Sequence, residues 1–143
     1  MKLRGNFSSS RRKAAVALTL AIAAVASGCA GFLSAPPEQQ VLRRADQYWQ
    51  ARVKGDLKTA YELSTPSYRK VRSLEQFQGK FGSGARFVNA EVSDVRCTSE
   101  RCTVSMKLGI VPSLPGIRMG TIPSSIEEVW VLESGQWWHF QDL

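Results

Sequence analysis

The stretch YWQARVKGDLKTAYELSTP, residues 48–66, contains the end of one predicted helix, a break, and a second predicted helix. Before the break, apolar residues recur at three- and four-residue steps from Glu38 to Val53, which is typical of a helix with one buried side. Gly55 ends this helix because glycine readily adopts the left-handed conformation found after a helix C-terminus. Asp56 then caps the second helix, since its short side chain accepts hydrogen bonds from free backbone N–H groups. Pro66 is expected to close that helix.

The pattern changes from helix to strand after this region. Ser73 with Gln76 three residues later forms a capping box, which predicts a third, short helix. From Arg86 onwards, apolar residues alternate with polar ones, and the phase slips near Ser93-Asp94 as it does at a β-bulge. The later strands are predicted over Cys102–Ile110, Ile126–Glu133 and Gln136–Gln141, with a long irregular connection over residues 112–125.

Helices followed by antiparallel strands indicate an α+β fold, with N-terminal helices packed on a curved antiparallel sheet. Residues 48–66, together with the closing pair Ile126–Glu133 and Gln136–Phe140, resemble parts of nuclear-transport-factor-two-like (NTF2-like) domains. The resemblance covers residues 38–143 and implies a cone, in which a bent sheet wraps helices and leaves a pocket at its open end. Members include isomerases, dehydratases, polyketide cyclases and non-catalytic binding modules, so the resemblance alone leaves the function open.

The N-terminal residues have the layout of a secretory signal, with basic residues first, then the apolar run Ala14–Ala26, then small residues. Ala26-Ser27-Gly28-Cys29 resembles the bacterial lipobox. That resemblance implies cleavage between Gly28 and Cys29, palmitate-type acylation of Cys29, and a lipid anchor in the cell envelope. Ala30, rather than Asp, favours the outer membrane facing the periplasm. The alternative is a non-lipidated signal peptide with an incidental cysteine.

The predicted cleavage divides the chain into a removed signal peptide (1–28), a tether (29–37) and a single α+β domain (38–143). The whole chain has 19 Lys and Arg against 12 Asp and Glu, a net charge of +7. Residues 1–28 hold five of the basic residues and no acidic ones, so the remainder carries 14 − 12 = +2. A nearly balanced charge argues against nucleic acid as a partner.

Cys97 and Cys102 flank a four-residue turn between two strand patterns. Opposed positions in an antiparallel pair bring two Cα atoms within disulfide range, and an exported protein is exposed to oxidising conditions. A structural disulfide is therefore expected. The alternatives are free thiols, a redox pair or a metal site; besides Cys29, only His139 could add a further Cys or His ligand. No metal or cofactor is expected.

His139 is the only histidine, and strand alternation places it on one face with Trp137 and Gln141. It could act as a general base, or it could be a solvent-facing or core-edge histidine with no chemical role. Glu127 and Glu128 point to opposite sides of a strand, so they are not expected to form an acid–base pair. No catalytic residue is assigned. The side chains that could line a pocket are those of Tyr48, Trp49, Tyr61, Trp130 and His139. The alternative for the tryptophans is that they fill the core between helix and sheet.

Three functions remain open from the sequence. The first is a non-catalytic, membrane-anchored module that binds a protein partner or a small apolar ligand. The second is a small isomerase- or dehydratase-like enzyme that uses the cone pocket, for which Asp94 could be a further pocket group. The third is a structural subunit of the envelope without a ligand.

Overall fold

A computed structural model describes residues 35–82, 85–113 and 115–143. Within these ranges, four helices precede four strands in the chain. Residues 1–28, Cys29 and most of the tether lie outside the described residues, as do the predicted cleavage and lipidation. None of the described helices is long and apolar enough to cross a membrane. The elements are α1 (Pro37–Lys54), α2 (Leu57–Glu62), α3 (Pro66–Val71), α4 (Leu74–Phe81), β1 (Ala85–Cys97), β2 (Arg101–Pro112), β3 (Ile122–Glu133) and β4 (Gln136–His139).

The break between α1 and α2 forms as the sequence predicts. Gly55 has a φ of 76° and ends α1 in the left-handed conformation. The Asp56 side chain accepts a hydrogen bond from the Thr59 backbone N–H at 3.1 Å, which caps α2. The capping box that opens α4, between Ser73 and Gln76, is also present.

The prediction that Pro66 closes the second helix was wrong. Helix α2 ends at Glu62, and Pro66 opens α3, a helix that the sequence pattern did not reveal. Proline fits the first helical position because the N–H that it lacks would have no partner there. Thr65 caps α3 by accepting a hydrogen bond from the Tyr68 backbone N–H.

The four strands form one curled antiparallel sheet in the order β1-β2-β3-β4. The register of β1 against β2 shifts between Val92 and Asp94, where the sequence predicted a bulge, and also between Phe87 and Asn89. Helix α1 lies against the sheet, chiefly against β1. The buried side chains of α1 and of the inner face of β2 and β3 form the core of the compact unit Ala35–Leu143.

The predicted irregular connection was too long. Strand β3 begins at Ile122, which pairs with Ile110, so the connection between strands covers residues 113–121 only. Pro123 had indicated a loop. It is tolerated because β4 pairs only with Trp130–Glu133, which leaves the first half of β3 at the sheet edge. An edge position does not need the N–H that proline lacks. Strand β4 also ends earlier than predicted, at His139.

The structure contains the predicted disulfide. Cys97 and Cys102 are opposed in the β1–β2 register, with their Cα atoms 4.0 Å apart and their sulfurs bonded. Cys102 is fully buried among the inward-facing residues of the sheet. A ring this short contributes about 2 kcal/mol on the chain-entropy model, so the bond secures the β1–β2 turn against the core.

Candidate functional site

Four of the five side chains proposed to line a pocket instead meet in the protein interior. Tyr48 and Trp49 lie on α1, Trp130 on β3 and His139 at the end of β4, and all four are buried. The ring centroids of Tyr48 and His139 are 4.3 Å apart, and those of Tyr48 and Trp130 are 6.4 Å apart. The fifth, Tyr61, is half-buried on α2, away from these contacts. These aromatic side chains fill the core where α1 meets the sheet.

Tyr61 has a separate structural contact. Its hydroxyl donates to the Arg72 carbonyl oxygen at 2.7 Å, and its ring meets Phe77 edge-on at 5.6 Å. Asp94, the acidic group considered for the enzyme hypothesis, is exposed and lies 3.2 Å from the Arg96 guanidinium. Neither residue belongs to the buried cluster around His139.

Glu128 is the centre of the buried cluster, and the sequence analysis missed it. Its carboxylate accepts hydrogen bonds from the indole N–H groups of Trp49 and Trp130, each at 2.9 Å. The Nε2 atom of His139 lies 3.2 Å from Oε2 of the same carboxylate. Glu128 is only 7% exposed, so three neighbouring N–H groups replace the water that a carboxylate would otherwise bind.

The prediction that Glu127 and Glu128 point to opposite sides was confirmed. Glu127 is exposed and bonds Arg96 at 2.8 Å across the outer face of the sheet. Glu128 shares the inner face with Trp130, two residues along β3. That alternation is the signal that could have found it: a carboxylate on the same face as a buried tryptophan needs a donor inside the fold.

His139 is held from both sides. Its Nδ1 atom lies 3.2 Å from the amide nitrogen of Gln141, which also lies 3.2 Å from the Ser64 hydroxyl. Its backbone N–H donates to the Leu63 carbonyl, and its own carbonyl accepts from the Thr65 N–H. Both ring nitrogens therefore have partners inside the fold. Trp137, His139 and Gln141 are all buried, so they share one face as the strand alternation predicts.

The Tyr48 hydroxyl completes the cluster on its α1 side. It accepts a hydrogen bond from Nη1 of Arg52 at 3.0 Å. Burial raises the pKa of Tyr48 to about 12, because the phenolate would lose its water there, and the nearby Arg52 charge offsets only part of this effect. Tyr48 is therefore protonated throughout the physiological pH range.

We expect this raised pKa to make the fold less stable in strong alkali. The unfolded chain releases the Tyr48 proton near pH 10 and the folded chain near 12, so the free energy of unfolding falls as the pH rises between these values. The full loss is about 2–3 kcal/mol. Urea denaturation from pH 9 to pH 12 should show a steeper decline for the wild type than for Tyr48→Phe. If stability fell equally steeply with pH in the wild type and in Tyr48→Phe, the raised pKa of Tyr48 would be contradicted.

A second feature is an open groove between the end of α1, the start of α2, the end of α4 and the start of β1. We call it the Arg52 groove; its volume is about 590 Å³. The Arg52 guanidinium lies within 5.0–5.8 Å of four aromatic ring centroids. Lys54 and Arg86 also line the groove, and none of the described residues that line it is acidic. Its described lining is Arg52, Val53, Lys54, Gly55, Leu57, Phe81, Gly82, Ala85, Arg86, Phe87 and Ser113.

No protein family model matches the chain, and no curated protein does. Solved structures share its fold. An NTF2-like protein from Cytophaga hutchinsonii aligns with a TM-score of 0.51 at 16% identity, over 72% of this chain and 92% of that one. The chain has the NTF2-like fold. TsrD from Streptomyces laurentii aligns with a TM-score of 0.51 at 15% identity, over 71% of this chain and 87% of that one.

A SEC-C motif protein from Psychrobacter arcticus aligns with this chain with a TM-score of 0.54 at 10% identity. The alignment covers 73% of this chain and only 60% of that protein. At these identities the neighbours establish the fold and nothing about chemistry. In the described part of the chain, no group of three His, Cys, Asp or Glu side chains is placed to hold a metal ion.

Proposed function

We propose that the protein is a lipid-anchored module of the bacterial cell envelope that binds a small ligand or a partner without catalysing a reaction. The observation that carries the non-catalytic part is the closed hydrogen bonding of the Glu128 cluster. Both carboxylate oxygens of Glu128 and both ring nitrogens of His139 have partners within the fold. A general base must present an accepting atom to a substrate proton, whereas the accepting atoms of Glu128 and His139 already bond donors inside the fold.

The anchor part of the proposal is supported by the N-terminal sequence. The basic and apolar segments and the lipobox-like residues Ala26–Cys29 are the pattern of an acylated export signal. The disulfide between Cys97 and Cys102 agrees with a compartment in which thiols oxidise. We propose the outer membrane, facing the periplasm, as the site of attachment.

The Arg52 groove is the proposed binding site. It is open, it lies between four elements of the fold, and its walls include the apolar side chains of Leu57, Phe81 and Phe87. Ligand sites are typically concave and mostly apolar, with a few polar groups that fix orientation. The groove combines these two properties, since Arg52, Lys54 and Arg86 lie among its apolar residues.

An enzyme of the isomerase or dehydratase type is the second candidate. It is favoured by the 3.2 Å contact between His139 Nε2 and Glu128 Oε2, at the edge of an open groove of about 420 Å³ lined also by Lys80 and Arg101. A catalytic role would require His139 to exchange its bond with Gln141 or Glu128 for one with a substrate. The non-catalytic function requires no such rearrangement.

Metabolic labelling tests the anchor. Cells expressing the chain are fed an alkyne-tagged palmitate, and the purified protein is analysed by in-gel fluorescence and by mass spectrometry of its N-terminal peptide. We expect the label on the wild type, with Cys29 as the first residue, and no label on Cys29→Ala. A wild-type protein that is exported and cleaved but unlabelled would reject the anchor.

A further inference from the structure

We infer that the Arg52 groove binds an amphipathic anion, with a carboxylate, sulfonate or phosphate head attached to an apolar body. This inference rests on the proposed binding function and names the chemical class of its ligand. The inference does not come from the solved structures of similar fold. They share about 10–16% identity with this chain and carry no information about this groove.

The first observation is the environment of the Arg52 guanidinium. Ring centroids of Phe81 and Phe87 lie 5.0 and 5.1 Å from it, and those of Trp49 and Tyr48 lie 5.7 and 5.8 Å away. Aromatic faces stabilise a cation but do not take up the N–H donors at the edge of the guanidinium plane.

Within the described part of the chain, the hydrogen bonds of Arg52 leave most of these donors available. A guanidinium has five N–H donors, and the structure records one side-chain bond for Arg52, to the Tyr48 hydroxyl. Among the described residues, no carboxylate lies within 4.0 Å of its nitrogens, whereas Arg96 meets both Asp94 and Glu127 within that distance. A half-buried guanidinium with free edge donors is suited to an anion that accepts two parallel bonds.

The second observation is the charge of the whole groove. Arg52, Lys54 and Arg86 line it, and all of its other described lining residues are uncharged. Several positive side chains in one cleft with low-dielectric walls reinforce each other's attraction for an anion. The domain as a whole is nearly balanced, so the groove is a local concentration of positive charge.

The apolar walls complete the description of the ligand. Val53, Leu57, Phe81 and Phe87 line the groove beside the cations. An inorganic anion would leave these apolar surfaces in water, and a neutral apolar molecule would cover the cations without pairing them. A ligand with an anionic head and an apolar body pairs with the cations through its head and covers the apolar residues with its body.

A matched pair of probes tests the inference. Naphthalene-2-sulfonate and naphthalene-2-sulfonamide have nearly the same shape, but only the first is an anion. The full chain is purified, held in phosphatidylcholine nanodiscs and titrated with each probe by calorimetry, with empty discs subtracted. We expect the sulfonate to bind about tenfold more tightly than the sulfonamide, a difference of about 1.4 kcal/mol.

Single substitutions test whether the preference for the sulfonate depends on the cations of the groove. Arg52→Met should remove the tenfold preference for the sulfonate while leaving the sulfonamide affinity unchanged. Arg86→Gln should reduce the preference about threefold, and it serves if Arg52→Met does not fold. Arg69→Gln is the matched control, because Arg69 also lies against an aromatic ring, that of Trp138, but outside the groove. It should change neither affinity.

The outcomes separate the two proposals. Equal affinities for the two probes would overturn the anion inference and leave the binding function intact. Failure of both probes to bind would overturn the binding function as well. Discs of phosphatidylglycerol then identify the source of the anion: a weakened sulfonate affinity assigns the groove to a lipid headgroup, and an unchanged one assigns it to a soluble molecule.

Discussion

Replacing Glu128 by alanine should lower the free energy of unfolding by about 3–5 kcal/mol, since each buried donor left without an acceptor costs about 1–3 kcal/mol. The substitution leaves the indole N–H groups of Trp49 and Trp130 and the Nε2 atom of His139 without their common acceptor. All three groups are buried, so each loses a hydrogen-bond partner that the fold supplied. Urea denaturation followed by tryptophan fluorescence measures the change.

The neighbouring residue is a matched control. Glu127 has the same side chain and forms an ion pair with Arg96, but it is exposed on the other face of β3. Glu127→Ala should cost less than about 1 kcal/mol, because solvent-exposed ion pairs contribute little. Equal effects of the two substitutions would mean that the Glu128 cluster does not stabilise the fold, and would reopen a catalytic role for it.

Replacing Phe77 by alanine should also cost about 3–5 kcal/mol, since it empties a fully buried aromatic site. Phe77 is the buried residue of α4, and its ring lies 5.6 Å from that of Tyr61 and 4.7 Å from that of Phe81. Losing it should loosen α4 on α2. Because Phe81 belongs to the Arg52 groove, probe binding there should weaken together with stability.

Phe140 is the control for this substitution. It is 41% exposed, so Phe140→Ala should cost less than about 1 kcal/mol. Both variants are compared by urea denaturation and circular dichroism. A cost for Phe77→Ala no greater than that of the control would contradict the packing of α4 described above.

The local signals in the sequence predicted most of the fold. Gly55, Asp56 and Ser73 specify helix ends through backbone conformation and short-range hydrogen bonds, which depend on neighbouring residues only. The alternation around Cys102 predicted which side chains of β2 face inwards, and the alternation around His139 predicted which side chains share a face. These features were recoverable because each one is decided within a few residues of chain.

The features that the sequence analysis missed depend on distant partners. Glu128 bonds Trp49 across 79 positions of the chain, and nothing near Glu128 reveals which donor it meets. Pro123 looked like a loop residue because the sequence does not show that β4 is too short to reach it. Spacing also did not distinguish aromatic residues that fill a core, such as Trp130, from those that line an open groove, such as Phe87.

Photo-crosslinking tests the central claim, that ligands enter the Arg52 groove and not the Glu128 cluster. The full chain in nanodiscs is irradiated with 5-azidonaphthalene-1-sulfonate, and the modified peptides are identified by mass spectrometry. The account predicts adducts within residues 52–57 and 80–87, lost when unlabelled naphthalene-2-sulfonate competes. Competed adducts concentrated within residues 127–142, around Glu128 and His139, would contradict it.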